Sequence, residues 1–223
     1  MRHSNLTIFV AELVGTFGLI VAATGSIVID GYMNFSLGPV FVAGIHFIGL
    51  FILIFVFGKY SMAHFNPAVT IGFAISRYLN PKLIPLYFSA QAIGAISGSL
   101  FVKSAIGNYA KLGLNFPNYE YSFPVIFGTE ICATLFLMGG ILLILNIPKS
   151  NTVIVSGVVG AIIALDVFFL GPISGASMNP IRSLAPALTT GIFDDLWIYW
   201  TAPYIGSIIP AIIFRKKFKK ILV

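Results

Sequence analysis

The sequence predicts an all-α membrane protein with six transmembrane helices and two re-entrant half-helices, arranged as an inverted repeat. Three observations carry this: a composition too apolar for a water-soluble domain, six apolar runs long enough to cross a bilayer, and two Asn-Pro steps that open apolar runs too short to do so. Of the 223 residues, 58% are hydrophobic and 9% charged, and the mean hydropathy is +0.98. Such a chain belongs in lipid as one compact spanning domain over residues 1–223. The single cysteine, Cys132, lies in an apolar stretch without an intrachain partner, so no disulfide contributes to the fold. The first apolar run is too long for a signal-peptide core and is read as the first span.

A spanning helix needs roughly 20 apolar residues. The runs that satisfy this are 6–29, 38–57, 84–106, 123–147, 153–170 and 197–214. Between the second and third, and again between the fifth and sixth, lie Asn66-Pro67 and Asn179-Pro180. Asparagine is favoured as a helix N-cap and proline in the first turn, so each pair starts a helix. Ser76 and Arg77 break the first of these, and Arg182 with residues 189–191 the second, leaving about ten residues where a span needs roughly 20. The halves also echo each other: Ala11-Glu12 with Gly15-Thr16-Phe17 is matched by Thr129-Glu130 with Ala133-Thr134-Leu135. Three spans per copy is an odd number, so the second copy enters from the opposite side, with repeats at about 1–115 and 116–223 whose related elements meet near the midplane.

Basic residues set the orientation. With the N-terminus cytoplasmic, Arg2, Lys59, Arg77, Lys82, Lys149 and the tail (Arg215, Lys216, Lys217, Lys219, Lys220) lie inside, and only Lys103 and Lys111 fall in outer loops. The net charge of +6 therefore reflects topology rather than a nucleic-acid footprint, and the basic tail suits anionic lipid. Both termini are expected to be cytoplasmic, in a multi-pass protein of the cell membrane.

Irregular backbone at membrane depth is tolerated only where protein or a wet cavity satisfies it, so residues 61–65 and 171–178 are expected to line a pore with their carbonyls. Small residues and glycines, Gly171 and Gly175 among them, would permit the extended path. At the junction Asn66 and Asn179 can each offer an amide donor to a passing oxygen. Two positive helix ends meeting there oppose cations and protons. An isolated Asn-Pro is usually only a cap; two of them on paired re-entrant segments point to a pore. Arg182 lies one turn beyond Asn179 and, as an intramembrane cation, is expected to face a wet cavity, the alternative being a clamp between helices.

These residues, together with Glu12, Ala90-Gln91, Gly94 and the Arg182 spacing, give a chain that resembles the aquaporins of the major intrinsic protein family over essentially its whole length. The resemblance implies a homotetramer with one pore per subunit, and a selectivity filter of His46, Val167, Ala176 and Arg182. That set departs from the strict water-only pattern of Phe on the second span and His on the fifth, and its small Val167 and Ala176 imply a wider constriction. Ser183, Ala187, Tyr199 and Trp200 match the water-channel choice rather than the glycerol-channel one. Ile181 replaces the usual alanine and bears on the pore radius at the junction. Glu12 and Glu130 are expected to hold the re-entrant loops, with a proton relay as the alternative. His64 is read as lining the cytoplasmic half of the pore or as packing in the core, and His46 as a filter wall or a buried structural histidine. Asp166 could support the outer loop or orient His46 or Arg182. Gly94 and Gly98 suit close helix contact.

Three function classes follow. A passive channel for water, and for small neutral solutes, explains the paired half-helices. A glycerol, ammonia or other small-solute facilitator with water secondary is the near alternative, and a proton-coupled transporter using Glu12, Glu130 and Asp166 a further one. A scaffold or adhesion role has little loop surface to use. Enzyme chemistry has no catalytic constellation, and neither a cofactor nor a metal is called for.

Overall fold

The computed structural model describes residues 3–217; Arg2, Lys219 and Lys220 of the expected inner charge set lie outside them. Six long helices are apolar enough to cross a membrane: α1 (Asn5–Tyr32), α2 (Gly38–Ser61), α4 (Ile84–Ala105, entered through a 3-10 turn at Pro81–Leu83), α5 (Phe123–Leu145), α6 (Thr152–Ser174) and α8 (Leu196–Lys217). Two short ones, α3 (Pro67–Ile75) and α7 (Pro180–Thr190), are the half-helices. Between α4 and α5, Ala110–Gly113 form one left-handed turn that no sequence pattern announced.

The ends of the elements follow from their chemistry. Ser4 and Asn151 cap α1 and α6 by accepting from Thr7 N (3.1 Å) and Ile154 N (3.0 Å), while proline opens α2, α3, α4, α5 and α7, where its missing N–H costs nothing. Several spans outrun their apolar cores. The expected coil at 171–178 starts only at Gly175, because α6 continues through Pro172 and its last turn is closed by Gly175 N donating to Gly171 O at 2.9 Å.

Helix packing puts the two halves into one body. α1 packs on α4 and α5 on α8, and α2 lies against α6. Gly94 allows the first contact: a Cβ there would stand 2.3 Å from Leu13 O. Gly206 does the same on α8, where a Cβ would stand 2.3 Å from Ile131 O, and Gly98 shares the approach to α1. The half-helices cross over, α3 packing on α8 and α7 on α4. Large apolar side chains such as Ile48, Ile52, Phe55, Leu165 and Phe169 remain exposed on the outside, as a lipid-facing surface requires.

Candidate channel site

The half-helices meet at their N-termini through a reciprocal exchange. Asn66 Nδ2 donates to Met178 O (2.8 Å), and Asn179 Nδ2 donates to Phe65 O (2.9 Å). Each Asn Oδ1 faces its own helix, accepting from Ala68 N (2.8 Å) and Val69 N in the first copy and from Ile181 N (3.2 Å) in the second. The capping role expected of the Asn-Pro steps is thus real and simultaneously fixes the amide orientation. With Oδ1 on the helix and one N–H on the opposite loop, each carboxamide keeps one uncommitted N–H.

The loops that carry these residues are left-handed at matching positions: Met62, Ala63 and Phe65 have φ of 65°, 50° and 47°, and Gly175, Ala176 and Met178 have 88°, 43° and 54°. Gly175 and the small Ala63 and Ala176 take part in this path as expected, whereas Met62, Phe65 and Met178 are large residues in the same left-handed conformation. The steric cost of left-handed side chains is offset by two buried carboxylates. Glu12 accepts from Ser61 Oγ (2.6 Å), His64 N (2.9 Å), Phe65 N (2.8 Å) and Gln91 Nε2 (2.8 Å). Glu130 accepts from Ser174 Oγ (2.8 Å), Ser177 N (2.9 Å) and Met178 N (3.1 Å). Tyr87 and Tyr199 complete the pattern, donating at 2.7 Å to the carbonyls of Ser61 and Ser174, where α2 and α6 end. Both acids are loop anchors whose oxygens are occupied by donors.

His46, Val167, Ala176 and Arg182 all line one cavity of about 60 Å³, together with Asn66 and Asn179. His46 Nδ1 lies 2.8 Å from Val42 O, which can only accept, so Nδ1 carries a proton. Arg182 is buried; its Nη1 donates to Gly113 O (2.7 Å) and to Asn115 Oδ1. Asn115 went unnoticed in the sequence, yet its carboxamide also accepts from Ser183 Oγ (2.7 Å) and donates to Gly175 O (2.8 Å). One side chain therefore ties Arg182, α7 and the second re-entrant loop together. The left-handed turn Ala110–Gly113 delivers Gly113 O and, two residues on, Asn115.

A single route passes through these groups. A vestibule of about 470 Å³ shares Val167 and Arg182 with the central cavity. At the other end a mouth of about 250 Å³ shares Ile54, Ala63, Val69, Ile141 and Val159 with it. A water needs roughly 10–15 Å³ of such space, so the centre holds a file of several. One side of the lumen is apolar, with Leu50, Ile54, Val159 and Ile163, and the other carries residues 63–66 and 176–179.

Of the remaining candidates, His64 lines the central cavity, and Ile181, Asp166 and Cys132 do not. Ile181 packs into the core cluster and is absent from the cavity lining, so its bulk does not narrow the junction. The His64 ring lies between Phe73 and Tyr87, each 4.4 Å away, with Nδ1 3.1 Å from Thr70 Oγ1, and the residue also lines the central cavity. Asp166 Oδ2 is buried with no hydrogen-bond partner, and among the described residues Asp166 orients neither His46 nor Arg182 by a hydrogen bond. Cys132 is exposed on the outside of α5, away from the lumen.

Six spans, two half-helices joined at their N-termini and a lumen threading the joint define a membrane channel of the aquaporin fold. The chain belongs to the major intrinsic protein family, whose model matches residues 1–214. It is 36% identical over 211 residues to the probable aquaporin NIP7-1 of Arabidopsis thaliana, spanning 94% of this chain and 76% of that one. It is 36% identical over 212 residues to Nodulin-26 of Glycine max, spanning 92% and 76%. Among solved structures it is similar to the aquaglyceroporin of Plasmodium falciparum, with a TM-score of 0.83 at 26% identity over 98% of this chain and 97% of that one.

Proposed function

We propose that the protein is a passive channel for water that also passes small neutral solutes and excludes ions and protons. The observation that carries this reading is the lumen running past two uncommitted amide N–H groups, one from Asn66 and one from Asn179. A water at the junction can only accept from them, so its own hydrogens point outward along the file. That orientation interrupts hydrogen-bonded proton relay, and the two positive helix ends add an electrostatic barrier. Glu12 and Glu130, whose oxygens are bound by loop donors, support a channel over a proton-coupled transporter.

The filter assignment is His46, Val167, Ala176 and Arg182, with Arg182 excluding cations and donating to solute oxygens, and His46 accepting from them. Val167 and Ala176 leave the other walls small and apolar. Similarity to an aquaglyceroporin favours inclusion of small polyols alongside water. The pore is assigned to one domain of two repeats, 1–115 and 116–223, both termini to the cytoplasmic side of the cell membrane, and the assembly to a homotetramer. The matched anchors of Glu12 and Glu130 support the repeat, and Lys59, Arg77 and Arg215, gathered on one face of the protein, support the orientation.

Stopped-flow light scattering on proteoliposomes tests the reading. Expected are water flux well above that of empty vesicles, measurable glycerol or urea entry, and no faster collapse of a pH gradient. Water flux at the level of empty vesicles, with folded protein verified, removes the assignment; rapid proton flux restores the coupled transporter.

A further inference from the structure

Beside the mouth of about 250 Å³, on the face where residues 3 and 217 lie, a second cavity of about 770 Å³ stands outside the conduction route. His3, Lys59, Arg77 and Arg215 line it with Tyr60 and Tyr78, and no Asp or Glu is among its lining residues. Among the described residues none of its three permanent cations is paired with a carboxylate; Lys59 lies over the Tyr60 ring at 4.8 Å. Tyr78 Oη accepts from Asn146 Nδ2 (2.8 Å), which leaves its own hydrogen to donate.

Arg77 is the most telling of the three. It follows the last turn of α3 with φ of 70°, Arg77 N donating to Ala74 O and Tyr78 N to Phe73 O. Glycine is the residue that unstrained backbone prefers at this kind of helix exit. A guanidinium instead occupies it, against the left-handed steric penalty, and reaches a concave space already holding an ammonium and a second guanidinium. Like charges gathered in a concave space focus a field that attracts an anion, and guanidinium forks match phosphate oxygens.

We propose that this cavity binds a phosphomonoester group through Lys59, Arg77 and Arg215, with the Tyr78 hydroxyl as a further donor. A lipid headgroup of the adjacent leaflet and a soluble phosphate share that chemistry. Lys59 and Met62 line both this cavity and that mouth, so the occupant sits against the end of α2 and the first re-entrant loop.

The full-length protein in phosphatidylcholine nanodiscs tests this. Discs are doped with either phosphatidic acid, a phosphomonoester, or phosphatidylserine, a phosphodiester, and lipid retention is read by native mass spectrometry; separately, pyrophosphate is titrated against thermal unfolding in undoped discs. Preferential retention of phosphatidic acid supports the site with a lipid source, and a pyrophosphate-induced rise in unfolding temperature supports it with a soluble one. Either affinity should fall about fivefold for each cation removed in Arg77→Gln and Arg215→Gln, while basal water flux stays at the wild-type level. Should Arg77→Gln fold poorly, Arg77→Gly removes the same charge while relieving the backbone. Equal retention of both lipids without a pyrophosphate effect, or an effect that survives both substitutions, overturns the proposal.

Discussion

Replacing Asn115 with alanine removes three hydrogen bonds at once: those accepted from Arg182 and Ser183 and the one donated to Gly175 O. Ser183 keeps Ser177 Oγ at 2.6 Å, and Arg182 keeps Gly113 O at 2.7 Å. The loss that bears on transport is the bond to the guanidinium, worth about 1.5–3 kcal/mol for a charged partner. That is about a 10- to 150-fold loss in the preference of Arg182 for its pinned position. A guanidinium released from the wall enters the lumen beside Val167, where it obstructs a polyol more than a water. Asn115→Ala should therefore reduce glycerol flux by a larger factor than water flux, measured on the same proteoliposomes by stopped flow. Asn115→Asp keeps the acceptor for Arg182 and Ser183 while losing only the Gly175 contact, and should hold the wild-type ratio. Equal loss of both fluxes in Asn115→Ala, or a shifted ratio in Asn115→Asp, refutes the positioning argument.

Val167→Phe narrows the wall opposite Arg182 and should cut solute entry more than water, whereas unchanged fluxes would remove Val167 from the constriction. Glu12→Gln replaces one of the two acceptor oxygens, sets an amide N–H against two of the four donors that now converge on Glu12 and should cost about 2–6 kcal/mol, seen as an unfolding temperature well below wild type in detergent; an unchanged temperature contradicts the anchor role. Arg77→Gly relieves a left-handed side chain and should gain about 1 kcal/mol, read as a small rise in unfolding temperature, with a fall counting against it. Mercurials should leave water flux intact, because Cys132, the sole thiol, lies outside the lumen and position 176 is alanine; block of wild type but not of Cys132→Ser would show that the thiol reaches the pore.

The half-helices were legible because their starting signal is local. An Asn caps through bonds to residues two or three positions on, and Pro takes the first turn, so two adjacent letters mark the start. The spans were legible as apolar runs, but their ends were not: α6 runs to Ser174 because backbone bonding continues past its greasy stretch and Tyr199 secures the final carbonyl. The four filter positions came from the family resemblance, aligned outward from the two Asn residues, and all four line one cavity. Asn115 had no such guide. Its meaning depends on a left-handed turn and on partners 60 to 68 residues away, and neither leaves a periodic trace. Ile181 erred in the other direction: its size was visible, but whether a helical side chain faces lumen or core is decided by the packing of α7.

The exchange between Asn66 and Asn179 has a consequence for synthesis. When the ribosome has completed the first three spans, Phe65 O has no donor and the Asn66 amide no acceptor, because both partners lie more than a hundred residues downstream. α3 is in a similar position, since the helix it packs on, α8, is made more than a hundred residues after it. The first half therefore enters the membrane carrying a short helix and an unpaired carbonyl that lipid cannot satisfy. The pair can close only once the second re-entrant loop has been made. Closure of the pore therefore depends on the second half of the chain, and a chain cut before residue 178 lacks the partners of both Phe65 O and the Asn66 amide.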